Sequence, residues 1–138
     1  MSVLLDTGFI IAAFNRRDRY HRWASNLLRE ILEGRWGPPF VTDYIIDEVL
    51  SYAAARLGGD AGLRLGSLLL EKRVFHIIPV TLDVLLEAWE VYRSRYPRLS
   101  FTDATSVAVA RSYNIDYIVT VEVRGELPRL HPSLTPPG

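Results

Sequence analysis

Four carboxylates stand at positions where a fold could turn them to chemistry: Asp6, Glu48, Asp103 and Glu122. Asp6 directly follows the apolar run Val3-Leu4-Leu5 and precedes Thr7-Gly8, the pattern of a buried strand running into a turn. Glu122 repeats that arrangement after the β-prone run 117–121. Glu48 lies three residues after Ile45 and four before Tyr52, a spacing that predicts a place on the apolar stripe of a helix with Val49 and Ala53. A carboxylate buried there is costly unless it is paired or bound to a metal. Asp103 opens a helix whose next seven residues, 104–110, are uncharged, so the helix itself is expected to be buried. Each acid has an ordinary alternative. Asp6 could be a helix cap or turn aspartate, and Glu48 could pair with an arginine at the helix edge. Asp103 could be an acid favoured in a first turn by the helix dipole, and Glu122 an exposed loop residue. If the acids converge, their mutual repulsion calls for a cation, and all-oxygen ligands suit Mg²⁺ or Mn²⁺. Such an ion can bind phosphate oxygens, lower the pKa of a water and stabilise charge on a leaving oxygen. Phosphodiester hydrolysis is the chemistry this equipment fits best.

The elements that must position these acids follow from the hydrophobic pattern. Strands are expected at 3–5, 40–41, 74–80 and 117–121. Helices are expected over 9–14 and 18–34, and from a Thr42 or Asp43 cap to Leu57 before Gly58-Gly59. Further helices are expected over 60–72, over 81–96 ending at Pro97, and over 102–113. Short apolar strands alternating with helices predict a three-layer α/β/α fold with a mainly parallel central sheet. In open sheets of this kind, sites form outside the carboxyl ends of the strands, where Asp6 and Glu122 are expected. One domain is expected over 1–131, with a proline-bearing tail over 132–138.

Composition removes several function classes. With no cysteine there is neither a disulfide framework nor a thiolate metal site. The 15 arginines and the single lysine, Lys72, balance 16 acids, so net charge exerts no general pull on nucleic acid. A local patch would have to do so, and Arg16, Arg17 and Arg19 are the candidate contacts to RNA phosphates, although such a run is commonly just a solvated face. His21, His76 and His131 share no metal-binding spacing, and His76 is expected to be packed inside a strand. No Gly-rich phosphate loop is present, because Gly58-Gly59 lacks a following lysine. The apolar start is interrupted by Asp6 and has no basic n-region, so neither a signal peptide nor a membrane span is expected, and the setting expected is cytoplasmic.

Taken in order, these segments resemble the PIN-domain family. Leu4-Leu5-Asp6-Thr7 followed by Phe9-Ile10-Ile11 is similar to the family's opening, as is the helix bearing Asp47-Glu48-Val49. Phe101-Thr102-Asp103-Ala104, then Ala108 and Ala110, then Tyr117-Ile118-Val119-Thr120, resemble its second half. The resemblance implies Mg²⁺- or Mn²⁺-dependent endoribonuclease activity. Asp6, Glu48 and Asp103 fall on the principal acidic positions, and Thr7 on the hydroxyl position beside the first. Glu122 falls where the family often has Asp or Asn, and its longer side chain departs from that pattern. Small members are often toxins of the VapC kind, restrained by a VapB-like antitoxin and usually dimeric. Exposed apolar residues on the helices over 18–34 and 60–72 are the expected surface for such association. Other readings are an RNA-processing or quality-control nuclease without an antitoxin and a non-catalytic PIN-like binding module. A phosphoacceptor domain would want a lysine near the acids, and Lys72 is the single candidate.

Overall fold

A computed structural model describes residues 1–121 and the short strand Arg129–Leu130. Its centre is β1 (Val3–Leu5), three residues buried on both faces. Successive side chains of a strand point to opposite faces, and that alternation divides the core. Val3 and Leu5 join one hydrophobic cluster, while Leu4 joins the other. β2 (Pro39–Thr42), β3 (His76–Ile78) and β4 (Tyr117–Val119) obey the same rule. Val41 and Val119 face the first cluster, and Ile78 and Ile118 the second. The first cluster is covered by α1 (Thr7–Phe14), α2 (His21–Leu32), α3 (Asp43–Tyr52) and α4 (Ala61–Gly66). The second is covered by α5 (Leu82–Arg95) and α6 (Phe101–Ser112). The result is the expected α/β/α sandwich.

With β5 (Arg129–Leu130), the sheet has five strands in the order β3-β2-β1-β4-β5, and every pairing is parallel. β5 was not expected, because two residues carry no readable alternation. The chain steps outward from β1 through β2 to β3, then returns to the other side of β1 as β4. That reversal makes the boundary between β1 and β4 the topological switch point, where the crevice of such a sheet opens.

Local chemistry sets the helix starts near that edge. Thr42 rather than Asp43 caps α3, its Oγ1 accepting from the Ile45 amide at 3.1 Å. Asp43 instead reaches outward: its Oδ1 accepts from the Val80 amide at 3.0 Å, tying α3 to the segment that leaves β3. Two expected helices end in wider turns. α3 passes into a π turn at Ala53–Leu57, and α4 into another at Ser67–Glu71. At the opposite edge, Gly37 has φ +74°, and a Cβ there would lie 1.7 Å from the Met1 carbonyl oxygen, so only glycine fits.

Candidate active site at the carboxyl edge of the sheet

Asp6 leaves β1 at the switch point. It occupies the N-cap position of α1, yet its side chain makes no capping hydrogen bond. The carboxylate instead accepts from Thr120 Oγ1 at 3.1 Å across the boundary with β4, and both residues are buried, Asp6 with 6% of its surface exposed. The helix-cap alternative for Asp6 therefore fails. A buried carboxylate held by a hydroxyl at a strand's carboxyl end is a group retained for something other than capping. Beside it, Thr7 Oγ1 is buried with no hydrogen-bond partner among the described residues. Such an orphan needs an explanation, and an ion or ordered water is one. Gly8 allows the chain after β4 to pass close over the start of α1: a Cβ there would lie 3.0 Å from Val121 Cγ2.

Asp103 is half-buried in the first turn of α6. Here the ordinary alternative is real: Asp103 and Ser100 form a reciprocal capping box. Ser100 Oγ accepts from the Asp103 amide at 3.0 Å, and Asp103 Oδ2 accepts from the Ser100 amide at 3.3 Å. This fixes the carboxyl group at the start of the helix. Ser106, three residues on, has a buried Oγ with no partner among the described residues, a feature that nothing in the sequence marks out.

Glu48 corrects an expectation. It is exposed, not part of the buried stripe. The buried residues of this helix are Ile45, Ile46 and Val49, continued by Ala53. At about 100° per residue, Glu48 lies roughly 115° around the helix from the centre of that set. Tyr52, which helped to define the expected stripe, is itself 44% exposed. Glu48 instead shares a face with Tyr44, one turn before it. The Tyr44 ring lies 6.3 Å from Phe101 at the start of α6, so that face of α3 looks toward the helix that carries Asp103. Asp43, Tyr44 and Asp47 line an open recess of about 220 Å³ beside it.

Asp6, at the end of β1, is buried, Asp103 on α6 is half-buried and Glu48 on α3 is exposed. Among the described residues, no three His, Asp or Glu side chains approach closely enough to cage an ion by themselves. The donor chemistry nonetheless fits a hard cation, since every group at the edge is oxygen. Mg²⁺ commonly keeps several waters and takes just one or two protein carboxylates along with substrate phosphate. Glu122 lies outside the described residues. Thr120, which holds Asp6, was not expected as a site residue; its signal is a polar side chain at the exit of an apolar strand, the criterion that selects Asp6.

Arg16, Arg17 and Arg19 are not drawn to this edge by their nearness in sequence. They follow the far end of α1, whose eight residues extend about 12 Å from Asp6. His21 is tied locally, its Nδ1 2.8 Å from the Ala12 carbonyl oxygen. His76 is exposed rather than packed, because β3 is the outermost strand, and its ring rests 5.4 Å from Phe40. Among the described residues no helix is long and apolar enough to cross a membrane.

The model of the PIN domain family matches residues 3–124, from β1 to beyond Glu122. The chain belongs to the PIN domain family. A VapC ribonuclease of Archaeoglobus fulgidus is 32% identical over 133 residues, covering 94% of this PIN domain chain and 83% of that protein. Among solved structures, Mycobacterium tuberculosis VapC20, a toxin that cleaves the sarcin-ricin loop, superposes with a TM-score of 0.74 at 25% identity, covering 90% of this chain and 91% of its own. VapBC2 of Rickettsia felis, bound to a DNA fragment from its promoter, has a TM-score of 0.71 at 13% identity over 95% of this chain and 98% of its own, a likeness of fold alone. A toxin–antitoxin complex from Klebsiella pneumoniae shares the PIN fold in the same sense, with a TM-score of 0.68 at 20% identity over 94% of this chain and 97% of its own.

Proposed function

We propose that this PIN domain is a metal-dependent endoribonuclease acting as the toxin of a VapBC-type pair. The observation that carries the reading is the buried Asp6 carboxylate at the switch point, anchored by Thr120 rather than used as a cap. Asp6 and Asp103 would hold Mg²⁺ or Mn²⁺, with Glu48 at the rim, Thr7 as a supporting hydroxyl and Glu122 as an outer acid. A cation bound there supplies positive charge for phosphate oxygens and a more acidic water. The chain's own residues do the rest. Thr120 fixes the orientation of Asp6, Ser100 fixes that of Asp103, and Glu48 stays accessible to water at the mouth.

Restraint by a VapB-like partner is supported by a second feature. Phe14, Leu57, Ala61, Arg64, Leu65 and Leu68 line a groove of about 130 Å³ between α1 and the α3–α4 hairpin. Leu63 and Leu70 are exposed beside it and Leu32 on α2, in keeping with the helices expected to carry association, a homodimer included. The deciding experiment incubates purified protein with structured RNA in Mg²⁺, in Mn²⁺ and in EDTA. Cleavage in the two metals and none in EDTA is expected; cleavage indifferent to the chelator overturns the metal mechanism.

A further inference from the structure

A chain of aromatic rings leads away from this edge. From Tyr44, on the wall of the recess, it passes to Phe101 at 6.3 Å and then to Tyr92 on α5 at 5.6 Å. Tyr92 is the branch point: Tyr96 meets it edge-on at 5.6 Å, and Trp89 lies nearly parallel to it at 6.0 Å and 27°. The inner rings are partly buried and hold one another in place. The outer two open to water, Tyr96 with 67% of its surface exposed and Trp89 with 49%. Charge along α5 is graded. Asp83, Glu87 and Glu90 occupy its first part, while Arg93 and Arg95 end it and exposed Arg98 follows. Tyr96 therefore stands at the basic end of the ring path.

We propose that Tyr96, backed by Tyr92 and Phe101, is a stacking platform for a base of single-stranded RNA that flanks the site. This rests on the ribonuclease reading. The physical need is plain. The chain has zero formal net charge and the site is lined by acids, so general attraction for polyanions is weak and affinity must come from elsewhere. Stacking on an aromatic face needs no charge and tolerates any base. It selects unpaired RNA, whose bases can splay onto a ring, over duplex. The ring path begins at the recess lined by Asp43, Tyr44 and Asp47 and passes Phe101, two residues before Asp103, so it links Tyr96 to the acidic edge. Exposed Arg98 could meet the accompanying phosphates, whereas Arg93 is ion-paired with Glu90.

The test uses a fluorescein-labelled, ten-nucleotide single-stranded RNA of mixed sequence. Kd is read by anisotropy without metal, and KM and kcat with Mg²⁺. Because stacking is worth about 1–3 kcal/mol per base, Tyr96→Ala should raise Kd and KM by roughly 5- to 150-fold, with a smaller effect on kcat. Tyr96→Phe, which keeps the ring, should restore most of the affinity. Asn26→Ala on α2, exposed and on the opposite side of the sheet from α5 and α6, should leave both constants unchanged. An RNA lacking the stacked base should bind the parent as weakly as Tyr96→Ala binds the intact RNA, and combining the two should add little. Parental affinity in Tyr96→Ala overturns the platform. So does a loss that coincides with a change from dimer to monomer in light scattering, which would make this face an interface between copies. If the parent binds RNA through Tyr96 yet does not cut it, the nuclease reading falls and the platform stands.

Discussion

The bond between Thr120 and Asp6 makes a quantitative claim that stability measurements can test. Thr120→Val keeps the shape of the side chain and replaces the donating hydroxyl with a methyl. Thr120 has 2% of its surface exposed and Asp6 6%, so water cannot readily substitute for the lost donor. A hydrogen bond to a charged group contributes about 1.5–3 kcal/mol, so removing the Thr120 donor should cost stability on that scale. For a chain of this length, 1 kcal/mol corresponds to roughly 3–5 °C in Tm, so a fall of about 5–15 °C is expected. Urea denaturation of the parent, Thr120→Val, Asp6→Ala and the double variant completes a cycle, since alanine leaves no acceptor for the Thr120 hydroxyl. The coupling energy should exceed about 1 kcal/mol, because the two groups act on each other rather than through independent packing. Saturating Mg²⁺ should recover part of the loss in Thr120→Val, since a cation on Asp6 stabilises the same carboxylate by mass action. A loss below about 0.5 kcal/mol, or additivity within that margin, would refute the claim that Thr120 anchors a buried charge.

Three further outcomes follow from the same geometry. Asp103→Asn should abolish RNA cleavage while leaving Tm in EDTA close to that of the parent, because an amide oxygen can still accept from the Ser100 amide. Mg²⁺ should then raise the parent's Tm and move the variant's much less, and an active Asp103→Asn protein would overturn the site. Ser100→Ala should cost about 1 kcal/mol in urea denaturation through loss of the α6 cap. Glu122→Gln should weaken cleavage less than Asp6→Asn does, and equal loss in folded proteins would place Glu122 among the direct metal ligands.

Much of the architecture is legible in the sequence because it rests on local rules. Val3-Leu4-Leu5 reads as a doubly buried strand since no polar residue interrupts it, and its ending in Asp6 places a carboxylate at the sheet's carboxyl edge on sequence grounds alone. Ser100 three residues before Asp103 is a local pattern, as is Thr42 before Asp43, so the starts of α6 and α3 can be read within a residue or two, whereas α2, expected from 18, begins at His21. The strand order cannot, because β4 returns to the far side of β1 through contacts between residues more than a hundred positions apart. That return is what sets Thr120 against Asp6, separates a buried carboxylate from an ordinary cap and creates the crevice. The exposure of Glu48 is equally a tertiary decision. Spacing names the faces of a helix, but which face is buried depends on where the sheet lies, and here it lies against Ile45, Ile46 and Val49. The aromatic path is partly of the same origin: Tyr92 and Tyr96 are one turn apart at the end of α5, but packing of α3, α5 and α6 is what brings Tyr44 and Phe101 into one surface with them.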